Sequence, residues 1–327
     1  MFNLFFNFPE DFRNSKKLTL SKDINFNLYK DIQNIVISGM GGSGFSADFI
    51  LYFFKDFINI PIIINKNYNL PNFVNQNSLL FLVSYSGNTE ETLSNLYEGE
   101  KREAKIISIT SDGDLLEETK DKYLYFKILE NLPPRMAFPY LFYPIYYILK
   151  NFTSFDFGEN EFFEKIDSIY NEFKKESNSV DDIVNKIKDR IPIIYTSDSL
   201  NPVGLRWKQE INENSKYIAY NLSFPELNHN ESVFWECKEL KDKIIFIILR
   251  DRFDSSQMKK RIDISIELLK DRGWEVLELF SFGEKKLLNL YSLIPCGDYI
   301  SIKLAYLKDV EPLPVRIIDE LKRKLKE

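Results

Sequence analysis

Three hydroxyl side chains and a glycine fall within six residues at Ser84-Tyr85-Ser86-Gly87-Asn88-Thr89, at the end of the apolar run Leu79–Tyr85. Hydroxyls joined by backbone N–H groups can satisfy the oxygens of a phosphate monoester, above all where a helix begins. A helix cap calls for one such residue and leaves the others unexplained. A second loop, Gly39-Met40-Gly41-Gly42-Ser43-Gly44, follows the run Asn34–Ser38. Its glycines let the backbone approach an anion closely, though they equally suit a plain tight turn. Gly42, Ser43, Ser84, Ser86 and Thr89 are therefore the candidate anion ligands. No Walker lysine and no GxGxxG pattern accompanies them, so nucleotide binding loses ground.

Other chemistries are narrowed by counting. His229 is the only histidine, and Cys237 and Cys296 are the only cysteines. That argues against a zinc site of the usual ligands and leaves carboxylates as the remaining metal donors, so no metal or cofactor is expected. Two distant cysteines make no disulfide framework and fit a reducing cytoplasm. The formal charge of -6 gives no electrostatic reason to bind nucleic acid or an anionic membrane. An anionic substrate would need a local site. No stretch approaches ~20 apolar residues, the length that spans a bilayer. The opening MFNLFFNFPEDF lacks the basic start and cleavage site of a signal peptide and is expected to pack onto the folded chain.

The elements that must carry these loops are legible as alternating apolar runs and helical stretches. Asn34–Ser38, Pro61–Asn65, Leu79–Tyr85 and Lys105–Thr110 read as buried strands of a parallel sheet, and Tyr123–Leu129 as a further one. Phe45–Lys55 and Glu90–Arg102 read as the helices between them, and Pro133-Pro134 as a turn. A second cycle offers strands Pro192–Ser197, Lys243–Leu249 and Trp274–Phe280, with helices Asn201–Asn214, Ser256–Arg272 and Asp298–Lys308. Residues 159–190 read as connecting helices. Two successive α/β units resemble a duplication, with one domain over 1–155 and another over 156–327. Ligands are expected at the strand ends.

GMGGSG followed by SYSGNTEET resembles the sugar isomerase domain, which holds phosphorylated sugars at this pair of loops. Later motifs narrow the likeness: Pro133-Pro134-Arg135 with Met136-Ala137-Phe138-Pro139, then Arg206-Trp207-Lys208-Gln209-Glu210-Ile211-Asn212-Glu213-Asn214-Ser215-Lys216. Pro225-Glu226-Leu227-Asn228-His229-Asn230-Glu231 and Ile318-Asp319-Glu320-Leu321-Lys322 follow. Together, from about Asn34 to the end, these resemble the bifunctional phosphoglucose/phosphomannose isomerases. The resemblance implies an α/β fold of two doubly wound parallel-sheet subdomains in tandem duplication. It implies an enzyme interconverting glucose 6-phosphate and mannose 6-phosphate with fructose 6-phosphate through a cis-enediolate, without metal.

By the same resemblance Glu213 matches the proton-transfer base, with Glu210 one turn earlier as the second choice. Arg135 matches the residue that stabilises the enediolate, as an always-charged guanidinium would. His229 matches the ring-opening acid/base and is supplied by the neighbouring subunit, which implies a homodimer. Lys322 matches a terminal-helix lysine acting at the sugar hydroxyls. One departure stands out. The family tends to carry a threonine shortly before that helix, linked to accepting mannose 6-phosphate, where this chain has Leu313-Pro314-Val315. A glucose-6-phosphate-only isomerase is the nearest rival, and a non-catalytic sugar-phosphate sensor a more distant one.

Overall fold

Continuous apolar runs bury both faces of a strand, and the central strands of both sheets are built from such runs. The structure, a computed structural model, describes residues 1–175 and 179–325. It divides into two compact units, Phe6–Phe157 and a second made of Met1–Phe5 with the chain from Gly158 onward. The aromatic opening segment is thus shared out. Phe5 packs on Tyr170, Phe173 and Tyr299 of the second unit, with ring centroids 4.8, 5.5 and 5.4 Å away. The helix Phe8–Leu20 belongs to the first.

In the first unit β1 (Asn34–Gly39), β2 (Ile62–Asn65), β3 (Ser78–Val83), β4 (Lys105–Thr110) and β5 (Leu124–Lys127) form an all-parallel sheet. Their order is β2-β1-β3-β4-β5. Every residue of β1 and β3 is buried. Val36, Leu80, Leu82 and Ile106 pack together with Leu96 and Leu115 from the helices Glu90–Lys101 and Asp114–Thr119. Helix Gly41–Phe54 packs on β1 and meets helix Phe138–Leu149 through aromatic rings, Phe45 to Phe138 at 4.8 Å and Phe49 to Phe142 at 5.3 Å. Helix Gly41–Phe54 starts four residues earlier than the sequence suggests. Its first turn is Gly41-Gly42-Ser43-Gly44, which the sequence pattern assigns to the loop.

The second unit repeats the plan with β6 (Ile191–Ser197), β7 (Tyr220–Phe224), β8 (Ile244–Arg250) and β9 (Val276–Phe280), all parallel, in the order β7-β6-β8-β9. Strand β7 is absent from the sequence reading. It lies at the sheet edge, only part-buried, and carries Asn221 and Ser223, so no apolar run marks it. Tyr195, Phe224, Trp235, Phe246 and Trp274 fill one core. Helix Asn201–Ser215 packs on helix Ile294–Leu307, where Trp207 Nε1 donates to Leu293 O at 2.8 Å and Gly297 leaves room for the indole.

Asp11 is a buried carboxylate of the first unit, 3% exposed. Its Oδ1 accepts from Tyr140 Oη and Asn7 Nδ2, each at 3.0 Å. Burial pushes its pKa up to about 6, against the smaller opposing pull of those two hydrogen bonds. The native state therefore binds the extra proton between about pH 4 and 6, so this group lowers stability as pH rises through that window. Asp11→Asn should remove this slope and be about 1–3 kcal/mol more stable than the parent at pH 7. Urea unfolding at pH 4, 5, 6 and 7 checks it; a variant less stable than the parent at pH 7 contradicts it.

Candidate active site

In the first sheet β1 has β2 on one side and β3 on the other, so the chain reverses its direction of winding there. Ligands collect outside the strand ends at such a switch point. Gly39 and Val83, the last residues of β1 and β3, are paired, so the loops after them start side by side. Each runs into a helix, Gly41–Phe54 or Glu90–Lys101. Neither helix carries a side-chain cap: Met40 and Thr89 stand at the N-cap positions and make no capping bond. Two uncapped helix N-termini thus open at one crevice, which suits an anion.

The hydroxyls are arranged around it. Ser84 Oγ and Thr89 Oγ1 are hydrogen-bonded at 2.8 Å, so Thr89 is not spent as a cap. Ser43 Oγ accepts the Tyr85 N–H at 3.1 Å, which ties the two loops together. Ser86 is exposed and its Oγ accepts the Asn88 N–H at 3.3 Å. Gly87 has φ +70°, and a Cβ there would stand 1.7 Å from Asp112 O. Gly42 is required for another reason. A Cβ on it would stand 2.8 Å from Pro134 O and 3.0 Å from the Arg135 nitrogen. The space beside Gly42 is therefore filled by the Pro134–Arg135 backbone. Arg135 itself is buried, in the short 3-10 helix Pro134–Ala137. Within the first unit the fold thus gathers Gly42, Ser43, Ser84, Ser86, Thr89 and the Arg135 backbone around the ends of β1 and β3.

The second unit has the equivalent switch point at β6 and β8, but it is plugged. The Asp251 carboxylate sits there, taking hydrogen bonds from Ser199 Oγ (2.5 Å), Asn289 Nδ2 (2.8 Å) and the Phe253 N–H (2.9 Å). Three donors beside that switch point are thus taken up by a carboxylate of the chain itself.

Glu213 lies elsewhere, in the last turn of helix Asn201–Ser215. It is half-buried on the wall of a cavity of ≈ 580 Å³, together with Asn212, Lys216, Pro314, Val315 and Ile318. Lys216 builds that wall. Its Nζ donates to Glu213 O (2.9 Å), Glu311 O (2.8 Å) and Pro312 O (3.0 Å), stapling the helix end to the segment before the terminal helix. Sequence reasoning missed this lysine, whose partners are carbonyls invisible in side-chain patterns. Pro314 and Val315, the positions that depart from the family pattern, share the cavity with Glu213.

Glu210 is removed from contention. It is 2% exposed, its Oε1 lies 3.2 Å from Arg206 Nη1, and its Oε2 accepts from Asn214 Nδ2 at 2.9 Å. Arg206 also grips Asp298, with Nε 2.9 Å from Oδ1 and Nη2 2.9 Å from Oδ2. His229 is exposed at the end of the short helix Glu226–His229, and Lys322 is exposed on helix Arg316–Leu325. Neither lines the cavity of Glu213. Among the described residues no group of three or more His, Cys, Asp or Glu is placed to hold a metal ion, and no helix is long and apolar enough to cross a membrane.

Two such α/β units, each with a parallel sheet, are the architecture of proteins built from sugar isomerase (SIS) domains. Residues 28–138 match the SIS domain family, and residues 176–325 match the bacterial phospho-glucose isomerase C-terminal SIS domain. The C-terminal domain of glucosamine-fructose-6-phosphate aminotransferase from Francisella tularensis shares the fold, with a TM-score of 0.73 at 16% identity over 95% of this chain and 96% of that one. The bifunctional phosphoglucose/phosphomannose isomerase of Caldicellulosiruptor bescii is 36% identical over 100% of this chain and 99% of its own. A D-glucosamine-6-phosphate 4-epimerase of Sulfolobus acidocaldarius is 28% identical over 90% of each chain. This chain belongs to the bifunctional phosphoglucose/phosphomannose isomerase family, and it is an enzyme, an isomerase.

The Arg206–Asp298 pair anchors the helix that presents Glu213. Removing Asp298 takes the acceptors from Arg206 Nε–H and Nη2–H but leaves the charge paired with Glu210, so the cost falls below the ~3–5 kcal/mol of a fully broken buried pair, at ~2–3 kcal/mol. Asp298→Ala should lose stability of that order in urea unfolding, and Arg206→Met with Asp298→Leu markedly less. A loss under about 1 kcal/mol in Asp298→Ala contradicts this assignment.

Proposed function

We propose that the enzyme interconverts glucose 6-phosphate and mannose 6-phosphate with fructose 6-phosphate through a cis-enediolate, without a metal ion. The observation that carries this reading is the contrast between two carboxylates on one helix. Glu210 is spent on Arg206 and Asn214, while Glu213 lines a cavity of ≈ 580 Å³. Glu213 takes the proton from carbon 2 of the open-chain aldose and returns it to carbon 1. As the proton leaves, negative charge grows on the substrate oxygens, and the Arg135 guanidinium stabilises it. His229 opens the sugar ring as an acid/base. It does so from the partner subunit of a cytoplasmic homodimer, which is why it is exposed on its own chain. Lys322 acts at the sugar hydroxyls.

The phosphate is held by Ser43, Ser84, Ser86 and Thr89 with the first N–H groups of the helix behind Thr89. All are neutral. Substrate affinity then rests on hydrogen bonds and helix ends rather than on lysine or arginine, in keeping with a chain of net charge -6. The Glu213 cavity has Pro314 and Val315 where the family tends to carry a hydroxyl. An apolar wall leaves room for the axial hydroxyl of mannose 6-phosphate without bonding it, so both sugars are substrates.

Coupled assays with each sugar 6-phosphate test the reading. Turnover of both should survive exhaustive chelation; activity lost with EDTA and restored by a divalent metal contradicts the metal-free step, and turnover of glucose 6-phosphate alone removes the dual specificity. Replacing Ser84, Ser86 and Thr89 together by alanine should chiefly raise KM, at ~1 kcal/mol or more for each bond lost to the charged phosphate. An unchanged KM places the phosphate elsewhere.

A further inference from the structure

Tyr85 stands between two serines of the hydroxyl loop, yet its side chain serves a different segment. The ring is buried, 8% exposed, and its hydroxyl lies under the stretch that follows β5. There it donates to Leu129 O at 3.0 Å and accepts the Leu132 N–H at 2.7 Å. Only a neutral phenol does both, and burial raises the pKa of this one further above its ordinary value. The backbone of the same residue gives its N–H to Ser43 Oγ (3.1 Å) and takes the Ser111 hydroxyl (2.6 Å) and N–H (3.0 Å) on its carbonyl. One residue therefore joins the glycine loop, the hydroxyl loop, the end of β4 and the segment after β5.

That last segment leads straight to Arg135. Only two residues lie between Leu132, held by the Tyr85 hydroxyl, and the arginine, and both are prolines, Pro133 and Pro134, whose φ is fixed by their rings. The Met136 N–H closes the turn on Pro133 O at 2.8 Å. On its other side the Arg135 backbone rests against Gly42. A stiff link clamped at both ends transmits the position of its anchor with little slack.

We propose that Tyr85 is a positioning residue for Arg135, fixing the guanidinium in register with the phosphate loop through its two hydrogen bonds to Leu129 and Leu132. This rests on the enediolate-stabilising role given to Arg135 above. A misplacement on the order of 1 Å in a charge-stabilising group costs up to about a hundredfold in rate. Tyr85→Phe keeps the ring and removes only the hydroxyl. It leaves the phosphate ligands in place, so the loss belongs in kcat rather than KM.

The experiment is a double-mutant cycle of Tyr85→Phe and Arg135→Lys, read by turnover of glucose 6-phosphate. Tyr85→Phe should lower kcat by about tenfold to a hundredfold with KM within about threefold, and by less than about threefold when Arg135 is already Lys. An unchanged kcat, or an equal loss in both backgrounds, overturns the proposal, because a purely structural defect is indifferent to residue 135. If Arg135→Lys itself is unimpaired, the role of Arg135 fails and the proposal with it. If Arg135→Lys is impaired and Tyr85→Phe is not, only the positioning fails. A second readout needs no turnover. The Arg135 Nε–H resonance, identified by its absence from the Arg135→Lys spectrum, should shift or broaden in Tyr85→Phe; an unmoved resonance overturns the proposal whatever the rates.

Discussion

Strands β1 and β3 end level with one another, Gly39 opposite Val83, and much of the first unit follows from that register. Because β1 is where the sheet reverses its winding, the two helices leaving these ends diverge and their N-termini stay open. Anything bulky at the turn would close the crevice. Gly42 admits the Pro134–Arg135 backbone and Gly87 admits Asp112 O, so both loops are tightened by neighbouring chain rather than left loose. Ser43 and Tyr85 then lock one loop to the other. The place proposed for the phosphate is thus a product of sheet topology, and its hydroxyls decorate what the backbone has already made.

The second unit shows what becomes of the same topology without that use. Its strands follow the same order, but Asp251 occupies the switch point and takes up the donors that an anion would need. The cavity that Glu213 lines is instead at the far end of helix Asn201–Ser215. The buried Arg206, Asp298 and Glu210 fix that helix, and Lys216 ties its end to the segment carrying Pro314 and Val315. Burial is what separates the two glutamates. The same side-chain type serves as a structural anchor at Glu210 and lines a cavity three residues on.

How much of this was legible in the sequence depended on how locally each feature is encoded. The buried strands declared themselves because both faces are covered, which makes their runs continuous. Strand β7 did not, since an edge strand with Asn221 and Ser223 looks like a loop. The hydroxyl and glycine loops were visible because residue types and spacing alone carry their chemistry. Glu213 was ranked over Glu210 by family likeness alone; what distinguishes their surroundings comes from Arg206 and from Asp298, 92 residues beyond Arg206. Tyr85 read as an aromatic among serines, and its partners are backbone groups that leave no sequence mark. The roles given to His229, Lys322 and Arg135 came from family likeness and not from their own surroundings.

The proposal that Glu213 transfers the proton is tested most directly by following the carbon 2 hydrogen of glucose 6-phosphate in heavy water. Glu213→Gln keeps the shape of the side chain but has no carboxylate to accept a proton. NMR should show no deuterium entering carbon 2 beyond the enzyme-free rate, while the variant still binds the sugar 6-phosphate about as tightly as the parent. Undiminished exchange in Glu213→Gln would contradict the assignment of proton transfer to that residue.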